Sequence, residues 1–343
     1  MSTLKSIRSS GFTLVEMMIA LTVGLFVLGA LVAVISSAGR SAKTNDQTSE
    51  MQSNGRYALD VILRDVEHAG LVGLTPRANL NLIKTGVIVG NDCDITGFAL
   101  RLEQPVAGSD DSNPYSATCI PTTNYLQGDI LVVRYADMQN LSAVTDPSIP
   151  PAFSVSVTND IYLRSSYALS RLFQNSVVLP TTVGSGPPMQ DQLLKTYVYF
   201  IGPNTTGSDG IPALYRLSLV AGSITITPEL VASGIENLQV QYGVVDTSAT
   251  PPTTQYLDAC LPGVFSAPSA PCVNAWPSTI YPSWTQVKSV RVWLLARNSD
   301  SKGSGSYSNQ TSYQMGNVNY VPTVGANDKF RRQLFTTTIS LRN

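Results

Sequence analysis

One long apolar run constrains this chain more than any other feature. Between Phe12 and Ile35 every residue is apolar, small or hydroxyl-bearing, with the single exception of Glu16. As an α-helix the run would be about 36 Å long at 1.5 Å per residue, which is enough to cross the hydrocarbon core of a bilayer. The sequence therefore predicts a membrane-spanning helix over residues 12–35.

The charges around this run indicate which way it points. Lys5 and Arg8 precede it and no acidic residue does, so the short N-terminal end is expected to stay in the cytoplasm. Arg40 and Lys43 follow the run and reduce this asymmetry. A secretory signal would have a shorter apolar segment followed by a cleavage site. Here the cleavage-like junction, Gly11-Phe12, comes before the apolar residues.

Two interpretations of Glu16 are open on this evidence. Glu16 lies near the start of the run, where its carboxylate can reach the membrane interface, so it could be a stray charge in a plain anchor. An ionisable residue inside a span is otherwise a functional hypothesis that requires a partner. The plain anchor explains neither the Gly11-Phe12 junction nor the basic residues before it.

The segment "GFTLVEMMIAL" resembles the N-terminal motif of type IV prepilins, which a prepilin peptidase cuts after the glycine before the new N-terminus is methylated. The resemblance implies that residues 1–11 are a leader peptide and that Phe12 becomes an N-methylated first residue after cleavage at Gly11. It also implies that Glu16 sets the register of assembly by pairing with the α-amine of Phe12 on a neighbouring subunit. Because Phe12 and Glu16 are four residues apart on one helix, pairing within one subunit is the alternative.

The spacing of apolar residues within 36–70 predicts that the helix continues as an amphipathic segment. An apolar stripe at helical spacing consists of Met51, Ala58, Ile62, Val66 and Ala69. The charged positions expected mostly on the other side are Asp60, Arg64, Asp65 and Glu67. Gly70 is expected to end the helix, and the stripe is expected to pack against a sheet.

Beyond residue 70 apolar and polar residues alternate, which is typical of half-buried antiparallel strands. The clearest strands are expected in "IENLQVQYGVV", "VKSVRVWLLARN" and "FTTTISLRN", with "DILVVRY" and "LLKTYVYFIG" as further candidates. No second helix is evident in the sequence, and "SYALSRLFQ", near residue 170, is the candidate for a short one. Five segments rich in Pro, Gly, Ser, Thr and Asn are expected to be loops: 104–124, 137–152, 180–190, 247–286 and 299–328.

The four cysteines form two pairs of sequence neighbours, Cys93 with Cys119 and Cys260 with Cys272. An even number of cysteines in an exported chain favours disulfides, and the local pairing is preferred among the three possible connectivities. Without a CxxC spacing, and with a single histidine, the chain is poorly supplied for a zinc site.

A second segment, "NGRYALDVILRDVEHAGLVG", is similar to PilW-like minor pilins of type IV pili, whose long pilin domain suits 343 residues. The resemblance implies an α+β, pilin-like fold with a long helix over residues 12–70 packed on a large antiparallel β-rich domain over residues 71–343. It also implies an inner-membrane protein with a periplasmic domain that is later built into the pilus at the cell surface. The implied partners are the prepilin peptidase, other minor pilins, the major pilin and a tip adhesin, and the implied roles are initiation of assembly, adhesion and twitching motility.

Little in the sequence predicts catalysis, and no cofactor or metal is expected. His68 is the only histidine and lies beside the apolar stripe, which favours a packing role. Asp110-Asp111 and "NDCD" at residues 91–94 could bind calcium, but neither has EF-hand spacing, so turns are favoured. Lys329, Arg331 and Arg332 are expected to line a solvated strand edge that discourages pairing.

The net charge of −1, from 22 basic and 23 acidic residues, argues against a nucleic-acid partner. Two alternatives to a minor pilin are open. A pseudopilin of a type II secretion system would share the leader, Glu16 and the helix packed on a sheet. A membrane-anchored periplasmic binding protein or enzyme would keep an uncleaved Gly11-Phe12 junction.

Overall fold

The structure is a computed structural model, and it describes residues 11–76, 82–84, 87–93, 97–139, 142–144, 159–174, 189–203, 210–225, 227–246, 250–259, 287–299, 309, 311–322 and 328–341. Within these ranges the chain forms one α-helix, α1 (Leu14–His68), and a 3-10 turn over Phe98–Leu100. The strands are β1 (Leu82–Ile83), β2 (Val106–Ser109), β3 (Gln127–Ala136), β4 (Ser142–Val144), β5 (Ile161–Ser165), β6 (Ser170–Gln174), β7 (Met189–Pro203), β8 (Pro212–Val220), β9 (Ser223–Ile224), β10 (Glu229–Ser233), β11 (Ile235–Asp246), β12 (Thr253–Asp258), β13 (Val287–Arg297), β14 (Tyr313–Met315), β15 (Val318–Tyr320) and β16 (Arg332–Ser340).

Helix α1 is 55 residues long, and only its C-terminal half packs against the rest of the chain. Its buried positions are Gln47, Met51, Gly55, Ala58, Ile62, Asp65 and Val66. The helix ends two residues before Gly70, which has φ 85°. This left-handed conformation costs glycine little, because glycine has no Cβ, and it turns the chain away from the helix axis.

The larger sheet has ten strands, and its main path runs β1-β6-β5-β7-β3-β2. Strand β7 also pairs with β4 and β8, and β8 pairs in turn with β9 and β10. Apart from the short parallel pair of β1 with β6, the pairings are antiparallel. The expected strands at "DILVVRY" and "LLKTYVYFIG" are confirmed as β3 and β7.

The smaller sheet is antiparallel, with the order β12-β11-β13-β16. Three of its four strands, β11, β13 and β16, are those that the alternation of apolar and polar residues predicts. The hairpin of β14 and β15 forms a separate two-stranded unit. An α+β fold, with one long N-terminal helix on a mostly antiparallel β-rich domain, is therefore confirmed.

Two apolar cores lie on opposite faces of the larger sheet. Leu131 and Val133 of β3 belong to the first core, which also contains the buried stripe of α1 and the inner face of the smaller sheet. Ile130 and Val132 belong to the second, which the segment around the 3-10 turn covers. Because successive side chains of a strand point to opposite faces, β3 serves both cores and its run reads as almost continuously apolar.

Two expectations about local structure were wrong. The segment "SYALSRLFQ" contains no helix, because Ser170–Gln174 is strand β6, which pairs with β5. Four of the five expected loops contain whole strands: β2 lies in 104–124, β4 in 137–152, β12 in 247–286, and β14 with β15 in 299–328. These strands are short, and each is held by a partner that is distant in sequence or by a hairpin, so local composition carries little signal for them.

The basic cluster near residue 330 also differs from expectation. The side chain of Arg332 is only 3% exposed, and its guanidinium bonds to the carboxylate of Glu236 and lies 3.0 Å from that of Asp328. Glu236 is in turn 3.5 Å from Arg297 of β13. Arg332 is therefore part of a buried ion cluster that joins β11, β13 and β16, and it does not guard a solvated edge.

Candidate functional site

The N-terminus of α1 is closed by a reciprocal pair of hydrogen bonds. Thr13 is the N-cap residue, and its hydroxyl accepts a bond of 3.2 Å from the backbone N–H of Glu16. The carboxylate of Glu16 accepts bonds from the backbone N–H of Thr13 at 3.0 Å and from the Thr13 hydroxyl at 2.9 Å. Such a capping box satisfies helix N–H groups that have no partner within the helix. Glu16 therefore has a partner within its own chain before any other subunit is present.

Gly11 and Phe12 lie just before this cap. In the full-length chain the nitrogen of Phe12 is part of the peptide bond to Gly11, so the α-amine that the prepilin resemblance assigns to Phe12 arises only after cleavage. The Phe12 side chain is 84% exposed. The assignments of cleavage to Gly11-Phe12, methylation to Phe12 and register to Glu16 therefore stay predictions, as does the choice between pairing within one subunit and pairing between two. Residues 1–10 of the expected leader lie outside the described residues.

The first part of α1 presents apolar side chains on every side. Each large apolar residue from Leu14 to Ile35 is more than half exposed, and Phe26 reaches 81%. Among the described residues, α1 is the one helix that is long and apolar enough to cross a membrane. A helix that is apolar all round is buried in a lipid bilayer or among other helices, because water cannot solvate such a surface favourably.

The last third of α1 has its apolar residues on one side. Ala58, Ile62, Val66 and Ala69 are fully buried and Met51 is 6% exposed, which confirms the stripe expected from their spacing. At Gly55 the helix comes so close to β16 that a Cβ atom would overlap the Phe335 ring. This part of the helix therefore packs closely against the smaller sheet, without room for one more methyl group at Gly55.

Asp65 anchors the end of α1 to the larger sheet. Its carboxylate accepts a hydrogen bond of 2.9 Å from the hydroxyl of Tyr135 and another from the hydroxyl of Tyr199. The guanidinium of Arg216 lies 3.5 Å from the same carboxylate and also bonds to Glu229 at 2.8 Å. A buried carboxylate is stable only when its oxygens are paired in this way. The network therefore ties α1 to strands β3, β7 and β8.

Sequence reasoning missed this role of Asp65, because it placed the charged residues of the helix mostly on the outer side. The spacing did indicate a buried position, because Asp65 is seven residues after Ala58 and three after Ile62 and so lies on the apolar stripe. Burial and the negative charge of Asp65 raise the pKa of Tyr135 and hold that of Tyr199 well above its ordinary value. Both hydroxyls therefore stay protonated and act as donors at neutral pH.

His68 lies beside this network, and its ring packs against Tyr135 with 5.6 Å between the centroids. The two rings line a groove of about 360 Å³ whose other walls include Tyr57, Arg64 and Leu230. The packing role expected for His68 agrees with this position.

A disulfide joins Cys93 to Cys119, the local pair expected from the sequence. Both sulfurs are buried in the second core, where the disulfide closes the segment that covers the larger sheet. Cys260 and Cys272 lie outside the described residues.

The described parts of the two acidic segments, residues 91–93 and Asp110-Asp111, form turns or bends, while Asp94 lies outside the described residues. Asp92 accepts bonds from the N–H groups of Cys93 and Ala99, at 3.1 and 3.2 Å. Asp110 accepts from the amide of Asn317, and Asp111 has φ 40°. Within the described residues, no three acidic, cysteine or histidine side chains are grouped so that they could hold a metal ion.

Comparison with known proteins gives two family matches. Residues 198–343 match the family described as Type IV Pilus-assembly protein W (PilW), and this range runs from within β7 through the whole of the smaller sheet. Residues 7–32 match the Prokaryotic N-terminal methylation motif, which covers the start of α1 with Thr13 and Glu16. No curated protein and no solved structure matches the chain significantly.

The two matched ranges lie at opposite ends of the chain. Both agree with the observed fold, in which a long N-terminal helix packs on an antiparallel β-rich domain. Pilins of this family are structural proteins, so the matches point away from an enzyme, and the methylation motif implies processing by a prepilin peptidase and assembly with other pilins. The apolar helix is consistent with membrane anchoring that is followed by assembly into a pilus. The methylation motif on an exposed apolar helix, together with the matched C-terminal sheet, supports a PilW-like type IV pilin.

Proposed function

We propose that this chain is a minor pilin, a non-enzymatic subunit that helps to start the assembly of a type IV pilus as part of a tip complex with other minor pilins. In this role the prepilin peptidase cuts between Gly11 and Phe12, and Phe12 is methylated. The helix then stays in the inner membrane, with the β-rich domain in the periplasm, until the subunit enters the fibre. Adhesion and twitching motility are the cellular activities that such a tip supports.

The observation that carries the proposal is the division of α1 into an exposed and a buried part. Residues Leu14 to Ile35 have no partner surface in the described chain, although they are the most apolar segment of the protein. The anchored part, from Met51 to Ala69, gives this helix a firm attachment to the domain. A subunit that moves from bilayer to filament needs both properties, because the helix must change its surroundings while the domain keeps its structure.

Glu16 suits this transfer between two environments. In the membrane its charge is compensated by the Thr13 N–H and hydroxyl, which is the arrangement that the structure describes. After cleavage, the α-amine of Phe12 on an adjacent subunit supplies an opposite charge near the same carboxylate. A helix displaced by one turn along its neighbour would leave both charges unpaired, so the pair selects one register.

Deletion of the gene tests the role in initiation, with surface pili counted by electron microscopy and twitching scored on the same strain. We expect few pili after deletion and restoration by the wild-type chain. Normal pilus numbers, together with absence of the chain from sheared fibres, would contradict the proposal. Loss of protein secretion with normal pili would instead favour the type II secretion pseudopilin.

The mass of the mature protein tests processing independently. We expect intact-mass measurement of the membrane-extracted chain to show an N-terminus at methylated Phe12. A chain that retains residues 1–11 would favour the membrane-anchored binding protein or enzyme. Substitution of Gly11 by alanine is the matched control, because it changes the residue before the cut and leaves Phe12, Thr13 and Glu16 in place.

A further inference from the structure

The smaller sheet ends in an open strand. In the order β12-β11-β13-β16, strand β16 pairs with β13 on one side, and no strand of the described chain pairs with it on the other. At the two ends of this ladder, Asn298 donates to the carbonyl of Arg331 and Leu341 donates to the carbonyl of Lys288. The backbone N–H and C=O groups of the odd-numbered residues of β16 therefore point toward β13.

The alternation along an antiparallel strand then assigns the outward groups. The residues whose backbone N–H and C=O point away from the sheet are Arg332, Leu334, Thr336, Thr338 and Ser340. The register of β13 with β16 shows no bulge along this length. The edge is thus a regular row of backbone donors and acceptors.

This edge lacks the features with which proteins prevent strand pairing. Exposed edges are usually protected by charged side chains, prolines or bulges. From Gln333 to Ser340 the strand "QLFTTTIS" has no charge and no proline. The one basic residue of β16, Arg332, is held in the buried ion cluster with Glu236 and Asp328.

An incompletely covered apolar flank lies beside the same edge. Phe335 and two residues of α1, Leu59 and Leu63, are partly buried against the first core. Helical spacing places Leu59 and Leu63 on the side of α1 that carries Gly55, where the helix meets Phe335. A strand added to β16 would extend the sheet beneath this flank, and its inward side chains would cover it.

The membrane restricts what can pair with the edge. Two copies of this chain joined symmetrically through antiparallel β16 strands would have antiparallel α1 helices, because the twofold axis reverses both elements together. Helices that enter one bilayer from the same side, or one polar filament, run in the same direction. The symmetric dimer is therefore excluded, and the occupant is a different strand from a subunit with the same orientation.

We propose that the open edge of β16 binds an extended, uncharged strand from another pilin subunit, which adds antiparallel to β16 and covers Leu59, Leu63 and Phe335. Backbone hydrogen bonds supply the attraction, as in other cases of strand addition, and the apolar flank selects alternate apolar side chains. The inference rests on the proposed function, because it is in the pilus that this chain meets such subunits.

A photo-crosslinking residue, p-benzoylphenylalanine, at Thr338 of the full chain in cells tests the contact directly. We expect an adduct with another pilin. Mass spectrometry should place the crosslinked residue of that pilin in an uncharged stretch of its sequence. The control position is Tyr167, which is 63% exposed in the turn between β5 and β6 and is far from the edge in sequence. Absence of a pilin adduct at Thr338 in a chain that enters fibres, or an equal yield of the same adduct from Tyr167, would refute the proposal.

A proline at Thr338 tests whether the edge is needed. Its N–H points outward, so proline removes no bond of the existing ladder but blocks an added strand. We expect Thr338→Pro to lower recovery in sheared fibres by roughly tenfold or more, because strand addition forms several backbone hydrogen bonds. Thr338→Val, which keeps the N–H and the branched shape, should assemble as wild type.

Membrane level and the Cys93–Cys119 disulfide of each variant report whether the chain has folded. Wild-type recovery of a folded Thr338→Pro chain would refute the edge contact while leaving the proposed function intact. Absence of even the wild-type chain from fibres would instead contradict the proposed function. If Thr338→Pro does not accumulate, the crosslink at Thr338 decides the question alone.

Discussion

The two ends of α1 have opposite relations to the rest of the molecule. From Leu14 to Ile35 the large apolar side chains are between 54% and 81% exposed, whereas Ala58, Ile62 and Val66 are completely buried. The first segment is apolar on all sides and the second on one side only. The distribution of apolar residues around the helix decides which part meets lipid or other helices and which part meets a sheet.

The comparison also separates two uses of a carboxylate. Glu16 lies on the exposed part, and its described partner is Thr13, three residues before it in the chain. Asp65 lies on the buried part and is bonded to strands far away in sequence. Glu16 can therefore exchange its partner without disturbing the fold, while Asp65 cannot.

The largest expected effect is at Glu16. We expect Glu16→Ala to leave membrane insertion and cleavage at Gly11 intact, because neither needs the carboxylate, and to reduce the chain in sheared fibres to a small fraction of wild type. Immunoblots of membranes and sheared fibres measure the two pools. Glu16→Gln is the matched control for the charge, since an amide oxygen can still accept the Thr13 bonds. Normal assembly of Glu16→Gln would show that capping, without a charge pair, is sufficient.

Asp65 should have the next largest effect, on stability. Asp65→Ala leaves two buried tyrosine hydroxyls without their acceptor and removes a partner of Arg216, so we expect the free energy of unfolding to fall by about 3 kcal/mol. Denaturant unfolding of the full chain in detergent, followed by near-UV circular dichroism, measures it. Asp60→Ala is the matched control, because Asp60 is 57% exposed and pairs only with Arg64, and it should change stability by less than about 0.5 kcal/mol. Equal losses from both variants would show that the Asp65 network does not anchor the helix.

Two glycines of α1 should respond to alanine with opposite signs. Gly55 faces the Phe335 ring, whereas Gly39 has open space around it. We expect Gly55→Ala to destabilise the chain by about 1 kcal/mol, because the cost of overpacking exceeds the gain in helix propensity. Gly39→Ala should stabilise the helix by up to about 1 kcal/mol. Helicity and unfolding midpoints in detergent measure both, and a gain at Gly55 would argue against close packing there.

A separate effect on stability is expected from alkaline pH. The pKa of Tyr199 is held well above its ordinary value of 10.0 by burial and by the charge of Asp65. A raised folded-state pKa contributes stability that is complete below pH 10 and is lost as the pH rises above that value, by about 1.4 kcal/mol per pH unit for one tyrosine. The denaturant concentration at the unfolding midpoint should therefore fall as the pH is raised from about 8 to about 11.

Tyr199→Phe is the control for this pH dependence, since phenylalanine does not titrate. It should be less stable than wild type at neutral pH, because it lacks the bond to Asp65, and should lose less on going to alkaline pH. Parallel pH profiles for the two chains would show that Tyr199 does not couple the helix to pH.

Much of the architecture could be predicted from local pattern. The apolar stripe of α1 and the strands β7, β11, β13 and β16 follow from the period of their apolar residues, whereas the span and β3 follow from a continuous apolar run. Strands β2, β4, β12, β14 and β15 could not be predicted in this way, since composition marked them as loops. They exist because a partner strand satisfies their backbone groups, and that partner is set by the tertiary fold.

What the sequence determined by itself is the helix with two environments: an apolar run with Glu16 beside Gly11-Phe12, and a stripe that ends at Ala69. The preference of an apolar run for lipid or packed helices, and the helical period of an apolar stripe, are local properties. Both can be inferred from the sequence without knowing the fold. Only the tertiary structure decided that Asp65 is an anchor, that Arg332 is buried with Glu236, and that β16 has no second partner among the described strands. Each of these depends on which residues, distant along the chain, share a buried site or lie at the end of a sheet, and no local pattern encodes that choice.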